Sequence, residues 1–467
     1  MPHLSRRGFL AALGVGAVGT AASWPRLTAS DIPGRGSDAL TIAVTGTAQD
    51  VASRQALVDG FRAKHPDIPV RVLAIQGADW SNFFAKVLTL VAAGTPPDVC
   101  GVATEGTQLF ADRLAHPLDE FVRRDAAEMQ GFFADVHPAL VESFMYQGSL
   151  FQLPGDFNAA NIYYNTKALE RAGVPRPPDD WTKDDFVDTL RAMRAGAAKT
   201  GGEFRPYFWN NRLWGGVVPW LYVNDTSFVT ESKARGGEWL WNTFYAQDPA
   251  AAGRGGGFVW DRPNADDPHV EESFEFLRQL VVDGLASSPS QGGGNELVAL
   301  FSEGVIGMTA AGGYWVNGLA EGGMGPNDFD VSFFPRWRSQ RHQFGSAGYA
   351  IMKTSKRKDE AWEWLKYCAS VEGMQLSVPK PNTTPARRSL VTEALYAGRG
   401  PAHWQVFYDT LDEFGDTAPI PAPPQQAAVE TALIKNVLAA VTGGPGSVKP
   451  AMATLQRDLE LALRRSP

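Results

Sequence analysis

The sequence predicts an α/β protein of at least two domains, built on a parallel sheet covered by helices. Three observations carry that expectation. Short β-branched runs alternate with amphipathic segments over residues 40–102. The chain has 467 residues, more than one hydrophobic core usually spans. Its apolar (44%) and charged (20%) fractions are those of an ordinary globular chain, which argues against disorder and against a coiled coil.

The first recognisable element is an export signal, assigned to residues 1–29. Ser5-Arg6-Arg7-Gly8-Phe9-Leu10 precedes an apolar, Gly/Ala-rich run from Leu10 to Ala22, a pattern that resembles a twin-arginine signal. The run falls short of the roughly 20 apolar residues that span a bilayer. Cleavage after Ala22 and cleavage after Ala29 both fit, and no cysteine follows the run to carry a lipid, so a soluble periplasmic protein is expected. Next, Leu40 to Val44 reads as a buried strand ended by Gly46, and residues 48–64 read as an amphipathic helix. Val70 to Ile75 supplies a second strand. A helix from Trp80 to Ala93 stops at Gly94 and Pro96, and Asp98 to Val102 forms a third strand. Ligands of such open sheets lie at the carboxyl ends of the strands, which nominates Thr47, after Gly46, and Glu105, after Thr104. Residues 151–336 are helical pieces broken by Gly/Pro-rich loops. A strand returns at Ser346 to Met352, a helix follows from Lys358 to Ser370, and the chain after Pro424 is helical.

With 51 acidic against 43 basic residues the formal charge is −8, which argues against a nucleic-acid groove or an anionic membrane as partner. Fourteen tryptophans, 48 glycines and 32 prolines suit a carbohydrate cleft, where rings stack on sugar faces while amides and carboxylates take the hydroxyls. Cys100 and Cys368 read as two buried thiols in preference to a disulfide. The seven histidines are scattered without metal-ligand spacing, and the only G-x-G-x-x-G, Gly14 to Gly19, sits inside the signal, so no metal and no cofactor is expected. An exported glycoside hydrolase remains the alternative, since a pair such as Glu105 and Asp156 could flank a glycosidic bond.

Five segments in order then resemble one family. They are Phe61 to Val70, Ala93-Gly-Thr-Pro-Pro-Asp-Val99, Gln152-Leu-Pro154 with Ile162 to Lys167 and Ala172 to Pro175, Phe301-Ser-Glu-Gly304 with Gly312-Gly-Tyr-Trp315, and Gly345 to Tyr349 with Lys353 to Trp362. Together they resemble the extracellular solute-binding proteins of the sugar-binding class that serve ATP-driven (ABC) importers, the group of the maltose-binding proteins.

The resemblance implies a two-lobed α/β fold of the periplasmic-binding-protein type (type II), with the ligand cleft between lobes. It places 38–152 and 340–385 in one lobe and 153–339 and 386–467 in the other. It implies a monomeric receptor, not an enzyme, that captures a sugar or polyol by hinge closure and hands it to a membrane permease. Trp315 falls at the family's stacking position and Glu105 at a hydroxyl acceptor. Asp156 and Asn158 follow Leu153-Pro154, while Tyr207, Trp209 and Asn210 fall in an aromatic second-lobe segment. Gly345, Ser346, Gly348 and Tyr349 offer backbone amides and a ring, with Trp80 and Trp260 as further aromatic candidates. Asn158 and Arg205 stand where acids are common in the maltose cleft, a departure that speaks against maltose itself.

Overall fold

The computed structural model describes residues 38–467 apart from 48–51, 53, 78, 200, 202, 290–294 and 466–467. The signal assigned to residues 1–29 lies outside them. Strand β1 (Leu40–Thr45) is buried from Leu40 to Val44 on both faces, as a strand covered on both sides must be, and its one buried polar side chain, Thr41, donates to Asp98 at 2.8 Å. Helix α1 (Gln55–Lys64) carries the chain to β2 (Val70–Ile75), which pairs in parallel with β1. Helix α2 (Trp80–Ala92) carries it on to β3 (Val99–Ala103), parallel on the other side of β1. Asp79 starts α2 by accepting from the Asn82 amide at 2.8 Å, and the helix buries Phe83, Phe84 and Val87.

The chain next runs through β4 (Leu153–Ala159) and, after Ala160 alone, enters β5 (Asn161–Asn165) of a second sheet. Helix α3 (Lys183–Ala198), opened by a Thr182/Asp185 capping box, leads to β6 (Arg205–Phe208). Helix α4 (Pro268–Val282), β7 (Ile306–Ala311) and β8 (Phe329–Ser332) follow. The second sheet is ordered β8-β5-β7-β6, with β5 antiparallel to both neighbours and β7 parallel to β6. Strand β9 (Gln343–Ile351) returns to the first sheet and lies antiparallel between β3 and β4. Helix α5 (Lys358–Ala369) packs on it, and the short strands β10 (Thr384–Pro385) and β11 (Ala418–Pro419) pair with β4 and β9. The first sheet therefore reads β10-β4-β9-β3-β1-β2, with β11 beside β9.

The pleat of β5 divides the interior. Tyr163 joins a core with Phe157 and Phe329, whereas Ile162 and Tyr164 point into another with Trp220 and Leu277. The last two helices, α6 (Gln426–Thr442) and α7 (Val448–Leu463), pack on each other and on α4, adding Leu433, Val437 and Leu455 to that second core. Because β4 and β9 belong to one sheet while β5 and β7 belong to the other, the chain crosses between the halves repeatedly. The crossings bring the ends of both sheets to a common space.

Candidate functional site

That space is a cavity of about 620 Å³. From the first half it is lined by Trp80 at the start of α2, Ala103 and Glu105 after β3, Asp156 and Asn158 of β4, and Gly345 to Ala347 of β9. From the second come Trp209, Asn210, Arg212 and Trp214 beyond β6, Thr309 and Ala310 of β7, and the Tyr314-Trp315 pair. A smaller chamber of about 250 Å³ shares Trp80, Asp156, Ala347, Asn382 and Thr383 with it and continues into the first half past Gly348, Tyr349 and Cys368.

A hydrogen-bonded chain fixes the polar floor. Asp156 accepts from the Ala347 amide at 2.9 Å and from the Thr383 hydroxyl at 3.0 Å. The Asn158 amide nitrogen donates to the same hydroxyl at 3.0 Å, and its carbonyl accepts from the Tyr314 amide at 3.1 Å. Asn158 thus links β4 to the turn that carries the two rings. The approach is close enough that a Cβ on Gly312 would stand 2.6 Å from that of Asn158, so only glycine fits there. On the same turn the Tyr163 hydroxyl donates to the Gly312 carbonyl at 2.8 Å. Across the cavity, a Cβ on Gly345 would meet the Trp214 indole nitrogen at 2.8 Å.

Two acids of the cavity, Glu105 and Asp156, are held toward their neutral forms. Burial raises Glu105 to about 7, against the opposing pull of its own backbone hydrogen bond and of the Thr104 hydroxyl at 3.2 Å. Burial likewise raises Asp156 to about 6, opposed by Thr383 and the Ala347 amide. A carboxyl poised in this range both donates to and accepts from ligand hydroxyls. The buried Trp209 indole nitrogen and the Asn210 carbonyl find no hydrogen-bond partner among the described residues and line the same cavity.

The rings differ in their surroundings. Tyr314 is 38% exposed and meets Trp214 edge to face at 5.5 Å. Trp315 is 3% exposed and packs edge to face on Tyr163 and Phe301, each at 5.5 Å. Trp80 stacks on Phe84 at 5.7 Å.

Of the residues nominated from sequence, Trp80, Glu105, Asp156, Asn158, Trp209, Asn210, Trp315, Gly345 and Ser346 meet at the larger cavity. Gly348 and Tyr349 line the smaller chamber. Three others stand elsewhere. Tyr207 lies wholly buried in the second core, its hydroxyl accepting from the Trp220 indole at 3.2 Å. Trp260 stacks on Phe258 at 5.1 Å and donates to Glu231 at 3.3 Å. Thr47, beyond the end of β1, is exposed and lines neither cavity. Arg212, Trp214, Tyr314 and Thr383 line the larger cavity without having been nominated. Tyr314 stood next to a nominated residue, but Thr383 carries no local signal. Cys100 and Cys368 are buried free thiols. Among the described residues no three His, Cys, Asp or Glu side chains gather to hold a metal ion, and no helix is long and apolar enough to cross a membrane.

Two α/β halves around a shared cleft, lined from both sides by rings and hydroxyl-binding groups, describe a solute-binding protein. Residues 45–375 match the family model of the bacterial extracellular solute-binding proteins, and the chain belongs to that family. Among curated proteins it is 24% identical, over 312 residues and 66% of each chain, to a Brucella abortus protein provisionally named a binding protein. The match thus spans about two thirds of that relative's length. Solved structures share the two-lobed type II fold. A Listeria monocytogenes ABC substrate-binding protein in complex with cycloalternan is 17% identical with a TM-score of 0.73, covering 91% of this chain and 99% of that one. A Mycobacterium tuberculosis protein in complex with glycerophosphocholine is 16% identical with a TM-score of 0.70, covering 92% and 99%. A maltose-bound T. maritima protein is 17% identical with a TM-score of 0.68, covering 90% and 99%.

Proposed function

We propose that this chain is the capturing component of an ATP-driven importer and that its solute is a sugar or a polyol. The carrying observation is the 620 Å³ cavity, in which tryptophan and tyrosine rings from both halves face amide and carboxyl groups suited to hydroxyls. Two structural relatives were solved with the sugars cycloalternan and maltose, which supports the same class of ligand here. The first lobe takes residues 38–159 with 343–385, and the second takes 161–332 with the closing helices α6 and α7. The first crossing falls at Ala160, not before residue 153 as the sequence leads one to expect, because β4 pairs with β9 in the first sheet. Ligand touches both lobes only when they close, so binding shifts the population toward the closed state that a permease recognises. The cavity residues nominated above supply the contacts, and no covalent step is involved. A twin-arginine signal delivers the chain to the periplasm, where it works as a monomer.

The test is a thermal-shift screen of the protein lacking residues 1–29 against sugars, polyols, sugar acids and phosphorylated polyols, with each ligand analysed by mass spectrometry after long incubation. One chemical class should raise Tm, by an amount equivalent to about 2.7 kcal/mol at a hundredfold excess over Kd, and be recovered intact. A stabilising glycoside recovered as hydrolysed product would replace the receptor with the hydrolase alternative.

A further inference from the structure

The smaller chamber adjoins the larger cavity on the first-lobe side, sharing Trp80, Asp156, Ala347, Asn382 and Thr383 with it, and is walled mainly by apolar groups, among them Leu57, Leu153, Leu365 and Val378. Into this apolar setting the residue preceding α1, Arg54, brings a guanidinium. Its Nη1 is buried and meets no hydrogen-bond partner among the described residues. Asp156 shares the chamber and, against its burial, the positive charge of Arg54 favours its ionised form. No hydrogen bond joins Nη1 to it, however, and its carboxyl oxygens accept instead from the Ala347 amide and the Thr383 hydroxyl. A buried donor left unmatched is costly, the more so when it is charged, so an acceptor brought by a ligand recovers a large interaction. The planar N–H fork of arginine matches two oxygens of a carboxylate or a phosphate. At about 250 Å³ the chamber is also smaller than the roughly 300–1,000 Å³ of pockets that hold whole ligands. It has room for a substituent of a molecule whose body lies next door, past the shared Trp80 and Thr383.

We propose that Arg54 receives an anionic substituent, a carboxylate or a phosphate, of a ligand whose hydroxylated body occupies the larger cavity. The solute is then a sugar acid or a phosphorylated sugar or polyol. This inference rests on the sugar and polyol reading of the larger cavity.

Matched pairs test it: galactose with galacturonate, glucose with glucose 6-phosphate, and glycerol with glycerol 3-phosphate, each titrated calorimetrically into the mature protein, Arg54→Gln, Arg54→Lys and Arg212→Gln. The expected result is at least tenfold tighter binding of the anionic member of one pair to the wild type. That preference vanishes in Arg54→Gln, persists in part in Arg54→Lys and survives in Arg212→Gln. Whether the carboxylate or the phosphate pair responds tells the two sources apart. Equal binding of neutral and anionic members by the wild type overturns the proposal and leaves the sugar reading standing. A preference retained by Arg54→Gln and lost by Arg212→Gln overturns it too. Failure of every sugar and polyol to bind, neutral or charged, removes both readings at once.

Discussion

Ser81 donates a 2.9 Å hydrogen bond to Glu430, a residue 349 positions further along the chain. The first belongs to α2, which packs on the first sheet, and the second to α6, which completes the core beneath the second. Asp79 and Trp80, just before Ser81, line the cavity, so the bond stands at its edge and joins the halves. Burial, and to a lesser degree the carboxylate of Asp79, raise Glu430, while the Ser81 hydroxyl and Arg212 pull it back.

A bond made across the halves favours the closed state and should slow ligand escape more than it speeds entry. Ser81→Ala should therefore raise koff roughly two- to tenfold, the equivalent of about 0.5–1.5 kcal/mol, with kon little changed. Stopped-flow tryptophan fluorescence measures both. An unchanged koff would assign the bond to packing alone.

The adjacent rings Tyr314 and Trp315 should separate binding from folding. Tyr314 is exposed to the cavity with an edge on Trp214, so Tyr314→Ala should weaken sugar binding about tenfold and leave Tm in place. Trp315 is wedged between Tyr163 and Phe301, and Trp315→Ala should lose roughly 3–5 kcal/mol of stability in urea titrations as well as affinity. Equal stability loss in the two variants would contradict this division of labour.

The parallel β1-β2-β3 arrangement was legible because β-strands buried on both faces and covering helices impose different periodicities, and Gly94 and Pro96 mark the break between them. Loops at strand ends led directly to Glu105, since open sheets place ligands there. Long-range relationships were not legible. Thr383 reaches Asp156 and Asn158 across more than 220 positions, and nothing around Pro381-Asn-Thr-Thr384 announces that role. Aromatic identity also fails to distinguish a cavity wall from a core. Trp209 lines the cleft while Tyr207, two residues earlier on the same segment, is packed against Trp220; the pleat alone would set residues two apart on one face, but β6 ends at Phe208 and Trp209 lies beyond it.

Cys100 and Cys368 should be silent toward thiol reagents in the native protein. Burial raises both thiols above their ordinary range, which suppresses the reactive thiolate. Ellman's reagent should report no thiol before denaturation and both after it. If denaturation without reductant released neither, the two residues would be joined in the purified protein.

Glu105 gives the protein a pH dependence whose sign follows from its burial. Its value in the fold, about 7, lies above the ordinary 4.5, so between these values the folded chain holds a proton that the unfolded chain has released. Stability from this group is therefore present at pH 5 and falls as the pH rises toward 8. Asp156, raised from 3.8 to about 6, acts in the same direction over a lower window. His137 and His342, both lowered by burial to about 3, act oppositely, since their unfolded forms gain protons below 6.5 and stability falls with acid. The wild-type profile mixes these effects, and the difference between wild type and Glu105→Gln isolates one of them. With the ordinary value of about 1.4 kcal/mol per unit discounted for partial exposure, the wild type should lose on the order of 1–2 kcal/mol more than the variant between pH 5 and pH 8. Urea titrations at both pH values measure that difference, and parallel profiles would show that Glu105 titrates normally in the cleft.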